Sequence, residues 1–163
     1  SIKIPIKDSY INKLQSEEIR QYIRENIDNY YYLLRTDVQA WIDEELIVNV
    51  ECKAFTENAM FKRIMVDFTF LKIVYPDANC VLLQLESQLG GDYSEIFNKI
   101  TYGSCPTHTI MSYFDVDLLI VTLLEGDRKV DKPIHKQEFF KELKEESVDN
   151  AVKFFEELLK KKI

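Results

Sequence analysis

Two segments of alternating polar and apolar residues, joined by a short acidic link, constrain the fold of this chain more than any other feature. They cover residues 35–42 and 46–53, and Asp43-Glu44-Glu45 separates them. Alternation with a period of two is typical of strands that bury one face, and two such runs around a short polar link predict a β-hairpin. We therefore expect a two-stranded ribbon whose turn lies at the acidic link.

Symmetric pairing of the two strands about Glu44 predicts which side chains share a face. One face collects the apolar pairs and is expected to be the core: Ile42 opposite Leu46, Ala40 opposite Val48, and Val38 opposite Val50. The other face collects the remaining residues: Asp37, Gln39 and Trp41 from one strand, and Ile47, Asn49, Glu51 and Lys53 from the other. Asp37 lies directly opposite Glu51, and Lys53 follows two residues later on the same face.

Asp37, Glu51 and Lys53 are therefore expected to converge at one end of the ribbon. Directly opposed carboxylates destabilise a sheet unless a cation lies between them, and hard oxygen ligands favour Mg²⁺ over zinc. At a phosphodiester such an ion can bind a non-bridging oxygen, lower the pKa of a water and stabilise the leaving 3′ oxygen. Lys53 would orient the attacking hydroxide or offset charge on the transition state.

An alternative interpretation of the same residues is a solvated strand face with an ordinary Glu–Lys pair. Cys52 and the neighbouring valines argue against this alternative, because they indicate a strand in the middle of the sheet. Charged side chains that serve no purpose are costly to keep in such a strand. We therefore favour a site at which these side chains take part in chemistry.

Helical patterns precede and follow the hairpin. Apolar residues recur at three- and four-residue steps from Ile11 to about Leu34, although the tyrosines at 30–32 could instead begin a strand. A second helix is expected over 56–74, with Thr56 as its N-cap and Pro76 just beyond its end. The apolar arc of this second helix is wide enough to be covered on two sides, by the sheet and by another helix or a partner chain.

Short apolar runs at 80–85 and 116–124 predict strands that are covered on both faces. Between them, residues 87–114 are too interrupted by glycine and proline to form one element, although 94–100 could form a short helix. Long excursions of this kind tend to be functional. A last helix is expected over about 136–161, with a buried side made of Phe139, Phe140, Leu143, Val152, Phe155 and Leu159.

The charged residues of the hairpin carry a resemblance to a known family. Asp37, a gap of thirteen residues and then Glu51-Cys52-Lys53 resembles the D…(D/E)-x-K signature of the PD-(D/E)xK nuclease superfamily, which includes type II restriction endonucleases. The predicted order of helix, hairpin, helix and buried strand over about residues 11–86 is similar to the αβββαβ core of that superfamily. Thr36 stands where the family frequently has proline before the Asp.

The resemblance implies an α/β fold with a restriction-endonuclease-like αβββαβ core, in which a central mixed sheet is flanked by helices. It implies a single nuclease domain over residues 1–163, which could be a fragment or subunit of a larger enzyme. The implied activity is Mg²⁺-dependent, restriction-type hydrolysis of double-stranded DNA, with Mn²⁺ able to substitute. Asp37, Glu51 and the backbone carbonyl of Cys52 would bind the metal, and Lys53 would assist the water. Cleavage of both strands implies a homodimer or a paired subunit.

Several residues outside the hairpin have both a functional and an ordinary interpretation. Glu18 and Glu25 on the first helix could support a second metal or be solvated charges, and Gln84 could border the cleft or hydrogen-bond a neighbour. Three basic residues could contact DNA: Lys62, Arg63 and His108. Each could instead be an ordinary surface residue, and Arg63 could form an intrahelical ion pair with Asp67.

Composition limits the function classes. The chain has 21 Lys+Arg against 28 Asp+Glu, a net charge of −7, so DNA contacts must be local rather than spread over a basic surface. Three widely spaced cysteines indicate reduced thiols in a cytoplasmic protein, and neither a leader nor an apolar run of membrane-spanning length is visible. Two rival functions are a DNA repair or junction-resolving nuclease and a non-catalytic binding module on the same fold.

Overall fold

The computed structural model describes residues 1–95 and 104–160. Its contacts divide the chain into two compact units, the N-terminal unit Ser1–Arg35 and the larger unit Thr36–Ile163. Each unit has its own sheet, of two strands in the first and four in the second. Within the described ranges, no helix is both long enough and apolar enough to cross a membrane.

The N-terminal unit contains a two-stranded antiparallel sheet, two α-helices and a short 3-10 helix at Ile27–Asn29. Its elements in chain order are β1 (Ile2–Pro5), α1 (Asp8–Ile11), α2 (Glu17–Glu25) and β2 (Tyr31–Leu34). The predicted helix over 11–34 was too long, because Asn26 ends α2 by donating its side-chain amide to the carbonyl of Tyr22. The tyrosines at 30–32 lead into β2, which confirms the alternative interpretation of that cluster.

The larger unit is a mixed four-stranded sheet with helices packed against it. Its elements are β3 (Val38–Ile42), β4 (Glu45–Glu57), α3 (Asn58–Val74), β5 (Asn79–Gln88), α4 (Cys105–Met111), β6 (Leu118–Thr122) and α5 (Glu145–Lys160). The strand order is β3-β4-β5-β6, with the first pair antiparallel and the other pairs parallel. The predicted α/β class, hairpin, second helix and buried strands are confirmed.

The hairpin register was predicted correctly only for the half far from the turn. Val38 pairs with Val50 as expected, but a bulge follows Ala40, so that the predicted pairing of Ile42 with Leu46 is wrong. The turn contains two residues rather than three, and its first, Asp43, has a left-handed φ of 53°. Because this tighter turn shifts one strand by a residue, the bulge is needed to restore the alternation further along.

Both faces of β4 are covered from Leu46 to Glu51, which argues against the alternative of a solvated strand face. Asn49 and Glu51, expected on the face opposite the core, are buried, while Val38, expected in the core, is 50% exposed at the start of the edge strand β3. Residues of α5 pack with Val48 and Val50 in the hydrophobic core, and α3 also contacts β4. Glu51 and Lys53 therefore lie in a central strand that both α3 and α5 contact, whereas Asp37 directly precedes the edge strand β3.

Helix boundaries in the larger unit also differ from the predictions, at the starts of α3 and α5. β4 continues through Thr56, which is buried and pairs with Ser87, so Thr56 is not the N-cap and α3 begins at Asn58. α5 begins at Glu145 instead of 136. The predicted buried side was wrong at Phe140, Leu143 and Val152, which are exposed, and the residues that are buried are Ala151, Phe154 and Leu158.

The excursion after β5 contains an element that the sequence pattern did not predict. α4 carries Pro106 in its first turn, where a missing amide hydrogen is tolerated. The helix expected over 94–100 falls for its greater part on residues 96–103, outside the described residues. Cys52, Cys80 and Cys105 form no disulfide, as predicted.

Candidate active site

The three charged groups of the hairpin converge as the alternation predicted. Lys53 Nζ lies 2.8 Å from Glu51 Oε2 and 3.5 Å from Asp37 Oδ2. The same ammonium donates to the carbonyl of Cys52 at 3.2 Å. Two carboxylates, one ammonium and one main-chain carbonyl therefore form a single cluster at the end of the β3–β4 pairing.

Asp37 is held by the main chain of the strand that carries the other two groups. It directly precedes β3, and the backbone amide of Cys52 donates to its Oδ2 at 2.7 Å. This charge-assisted bond satisfies an amide on the β4 edge at a point beyond the last β3 pairing. It also fixes the carboxylate next to Glu51.

The donor set fits a hard divalent cation. No hydrogen bond or ion pair joins Asp37 Oδ1 or Glu51 Oε1 to another described residue, so each carboxylate keeps one oxygen for a ligand. Within residues 1–95 and 104–160, no group of three or more His, Cys, Asp or Glu side chains could hold a metal. The remaining ligands would therefore be carbonyl, water or substrate oxygens, an arrangement that Mg²⁺ commonly adopts.

Burial makes the negative charge at this cluster costly. It raises the pKa of Glu51, and the hydrogen bond from Lys53 offsets this effect only in part, while the charge of Asp37 raises the pKa further. Burial acts to lower the pKa of Lys53, but the hydrogen bond and charge of Glu51 outweigh it, and the pKa is raised. The lysine is thus held as an ammonium beside a carboxylate that gains from a further cation.

Asp67 is a third acidic group near the cluster that the sequence analysis considered only as a partner for Arg63. The predicted intrahelical pair is present, with Arg63 Nε 4.0 Å from Asp67 Oδ2. Burial raises the pKa of Asp67, which interacts electrostatically with both Lys53 and Glu51. The sequence signal that could have indicated Asp67 was its position as an acidic residue beside the buried apolar stripe of α3.

Comparisons with known proteins concern the chain as a whole. No family model matches the chain. The chain is 56% identical over 159 residues to the type II restriction enzyme DdeI of Desulfomicrobium norvegicum, a match that covers 97% of this chain and 66% of that enzyme. The chain is a relative of a type II restriction enzyme. The predicted resemblance is thereby confirmed, and the chain spans about two thirds of the length of this restriction-enzyme relative.

A solved structure is also similar to the chain. It is described as a native BbvCI A2B2 tetramer, is 15% identical in sequence, and matches with a TM-score of 0.46 over 78% of this chain and 44% of that one. The restriction-enzyme relative is the closer in sequence of these two proteins. The match to the restriction enzyme covers 97% of this chain and therefore includes the hairpin.

Gln84, which the sequence offered as a possible supporting residue, lies beside the cluster. It pairs with Lys53 in the parallel ladder of β4 and β5 and is buried. Its Nε2 donates to Thr122 Oγ1 at 3.0 Å, and its Oε1 has no hydrogen-bond partner among the described residues. The structure therefore shows Gln84 in its ordinary role as a neighbour's partner, and its support of the site stays a prediction.

The other candidates lie on three helices. Glu18 and Glu25 occupy exposed positions of α2 in the N-terminal unit, where Glu25 accepts a hydrogen bond from Gln21. Their support of the site, like the proposed DNA contacts, stays a prediction. The basic candidates are placed on α3 and α4: Lys62 and Arg63 are exposed, and His108 is half-buried.

Glu51→Gln is expected to stabilise the protein at neutral and alkaline pH. Because the folded-state pKa lies above the usual 4.5, the folded state holds this proton more tightly, and ionisation costs stability as pH rises above that value. The free energies of unfolding of variant and wild type should approach each other below pH 4.5 and diverge in favour of the variant above it.

Urea unfolding at about pH 4 and about pH 8 measures this divergence. Glu44→Gln, which removes the same charge from the exposed hairpin turn, is the matched control and should show no comparable gain. A Glu51→Gln variant that loses stability relative to wild type as pH rises would contradict the expectation.

Proposed function

We propose that this protein is a divalent-metal-dependent endonuclease of restriction type that hydrolyses phosphodiester bonds of double-stranded DNA. The observation that carries the proposal is the position of Lys53 Nζ, 2.8 Å from Glu51 and 3.5 Å from Asp37. The 56% identity to a type II restriction enzyme supports the same chemistry and favours restriction over repair.

The cluster suggests a division of roles among its residues. Asp37, Glu51 and the carbonyl of Cys52 would hold Mg²⁺, with Mn²⁺ able to replace it. When bound, the ion supplies Lewis-acid stabilisation of phosphate charge and a lowered pKa for the attacking water. Lys53 would donate to that water and offset charge on the phosphate, and its raised pKa keeps it protonated for this role.

The substrate and the assembly are part of the same proposal. Because the net charge is −7, DNA contacts would be local, and Lys62, Arg63 and His108 are the candidates. Cleavage of both strands with one site per chain is most simply done by two chains, which we propose to be a homodimer or a pair of subunits. We further propose that residues 1–163 act as a single nuclease domain, and that the protein acts in the cytoplasm.

Incubation of the protein with mixed-sequence plasmid and Mg²⁺ tests the proposal. Discrete fragments that disappear with a chelator are the expected result, and a sedimentation measurement should give the mass of two chains. A smear would indicate an unspecific nuclease, and cleavage confined to flapped or four-way DNA would indicate a repair enzyme. Absence of cleavage of any DNA with Mg²⁺ or Mn²⁺ would contradict an enzymatic function.

A further inference from the structure

The residue before Asp37 is tied to the catalytic strand by its side chain. Thr36 Oγ1 donates to Asn49 Oδ1 at 2.8 Å and accepts from Gln39 Nε2 at 2.8 Å. Asn49 lies on β4, two residues before Glu51, and is completely buried. We call the Thr36–Asn49 hydrogen bond the hydroxyl clamp.

Asp37 depends on such ties because the sheet does not hold its backbone. β3 begins one residue later, at Val38, and the larger unit begins one residue earlier, at Thr36. Two hydrogen bonds join the segment to β4, the hydroxyl clamp and the bond from the Cys52 amide to the Asp37 carboxylate, and the Lys53–Asp37 ion pair adds a third contact with that strand. Together these contacts set the position of Asp37 relative to Glu51.

Asn49 is a residue that lowers the stability of the fold. Its Nδ2 is buried without a hydrogen-bond partner among the residues that the structure describes. A buried donor without an acceptor lowers stability, and an apolar side chain of similar size would remove that penalty. A buried amide that costs stability and contacts the segment before Asp37 is more readily explained by the geometry of the site.

We infer that Thr36 and Asn49 are positioning residues that hold Asp37 in the geometry needed for metal-dependent cleavage. The inference rests on the proposed function, because it assigns Asp37 to the metal. Neither residue needs to touch the metal or the DNA. Loss of the hydroxyl clamp should leave the carboxylate present but poorly placed, so that more metal is required and turnover is slower.

Thr36→Val and Thr36→Ser separate the hydroxyl from the shape of the side chain. Outer partners of metal ligands are typically worth 10- to 100-fold in metal affinity or activity. For Thr36→Val we therefore expect about a 10- to 100-fold loss in kcat and a rise in the Mg²⁺ concentration for half-maximal cleavage, with KM for DNA nearly unchanged. Thr36→Ser, which keeps the hydroxyl, should restore both values to within a few-fold of wild type.

Asn49→Leu removes the other half of the hydroxyl clamp and should show the same kinetic loss. Its urea midpoint should equal or exceed that of wild type, a result that a purely structural role would not produce together with the loss. The double variant Thr36→Val/Asn49→Leu should be no slower than either single variant, since both remove one bond.

The outcomes distinguish the two proposals. If wild type cleaves and Thr36→Val and Asn49→Leu match its metal dependence and kcat, the hydroxyl clamp has no positioning role although the proposed function stands. If wild type cleaves no DNA, the proposed function fails. The positioning role is then decided by Mn²⁺ calorimetry, in which binding by wild type with weaker binding by Thr36→Val supports it and equal or absent binding overturns it.

Discussion

Lys53→Met is expected to slow plasmid cleavage by about 10³-fold while the protein stays folded. The ammonium is within 3.5 Å of both carboxylates, so its loss removes the group that would donate to the attacking water and offset phosphate charge. Single-turnover cleavage at saturating Mg²⁺ measures the effect on the chemical step, apart from DNA binding.

Metal binding should respond in the opposite direction in this variant. The carboxylates of Asp37 and Glu51 remain, and no ammonium then repels an incoming dication. Mn²⁺ calorimetry should therefore show binding by Lys53→Met at least as tight as by wild type, whereas Glu51→Gln should lose both binding and cleavage. Such a split would assign Lys53 to the reaction and Glu51 to the metal.

Lys132→Met is the matched control, because Lys132 is exposed and has no part in the cluster. Its cleavage rate should equal that of wild type. If Lys53→Met cleaves within about tenfold of wild type, the effect is too small for a group that stabilises the transition state. The assigned role of Lys53 would then be wrong.

Among the variants considered, Arg128→Met is expected to lower the free energy of unfolding the most, by about 3–5 kcal/mol. Arg128 Nη1 lies 2.7 Å from Glu86 Oε2, and the two side chains are only 7% and 3% exposed. The guanidinium also lies over the ring of Phe55, with its carbon 4.9 Å from the ring centroid. Removal of the arginine would leave Glu86 buried with only Lys141, at 3.6 Å, as an ionic partner among the described residues.

Thermal and urea unfolding would report this loss, with a fall in Tm of about 10 °C for a chain of this size. The control is Lys129→Met, which breaks the neighbouring pair with Asp127, in which the lysine is 65% exposed. Exposed pairs contribute about 1 kcal/mol or less, so this control should change little. Equal small losses in both variants would show that the buried pair is not a main support of the sheet.

The sequence predicted what depends on alternation along one strand. Asp37, Glu51 and Lys53 follow a period of two across a hairpin, so their convergence could be expected before any coordinates. The bulge after Ala40 could not, because it follows from the two-residue turn at Asp43. The sequence predicted a three-residue link, and neither the two-residue turn nor the left-handed conformation of Asp43 could be derived from it.

Contacts that cross layers of the fold were beyond the sequence pattern. Asp67 reaches the vicinity of Lys53 only because α3 packs on the face of the sheet that carries the cluster. The Thr36–Asn49 bond joins a residue outside any strand to a buried side chain that the pattern placed only on the face opposite the core. The buried face of α5 was predicted wrongly because the apolar residues before Glu145 suggested a longer helix.

The unequal lengths of the two hairpin strands have a consequence for access to the reacting groups. β4 has 13 residues and β3 has five, and their pairing stops at Val50. The sheet therefore has a step at its outer border, and the acidic pair lies on that step, which under the proposed function is the side from which a phosphodiester backbone would approach. An outer strand that continued through Thr36 would close the step and give the Cys52 amide a main-chain acceptor, so this chemistry depends on a strand that ends early.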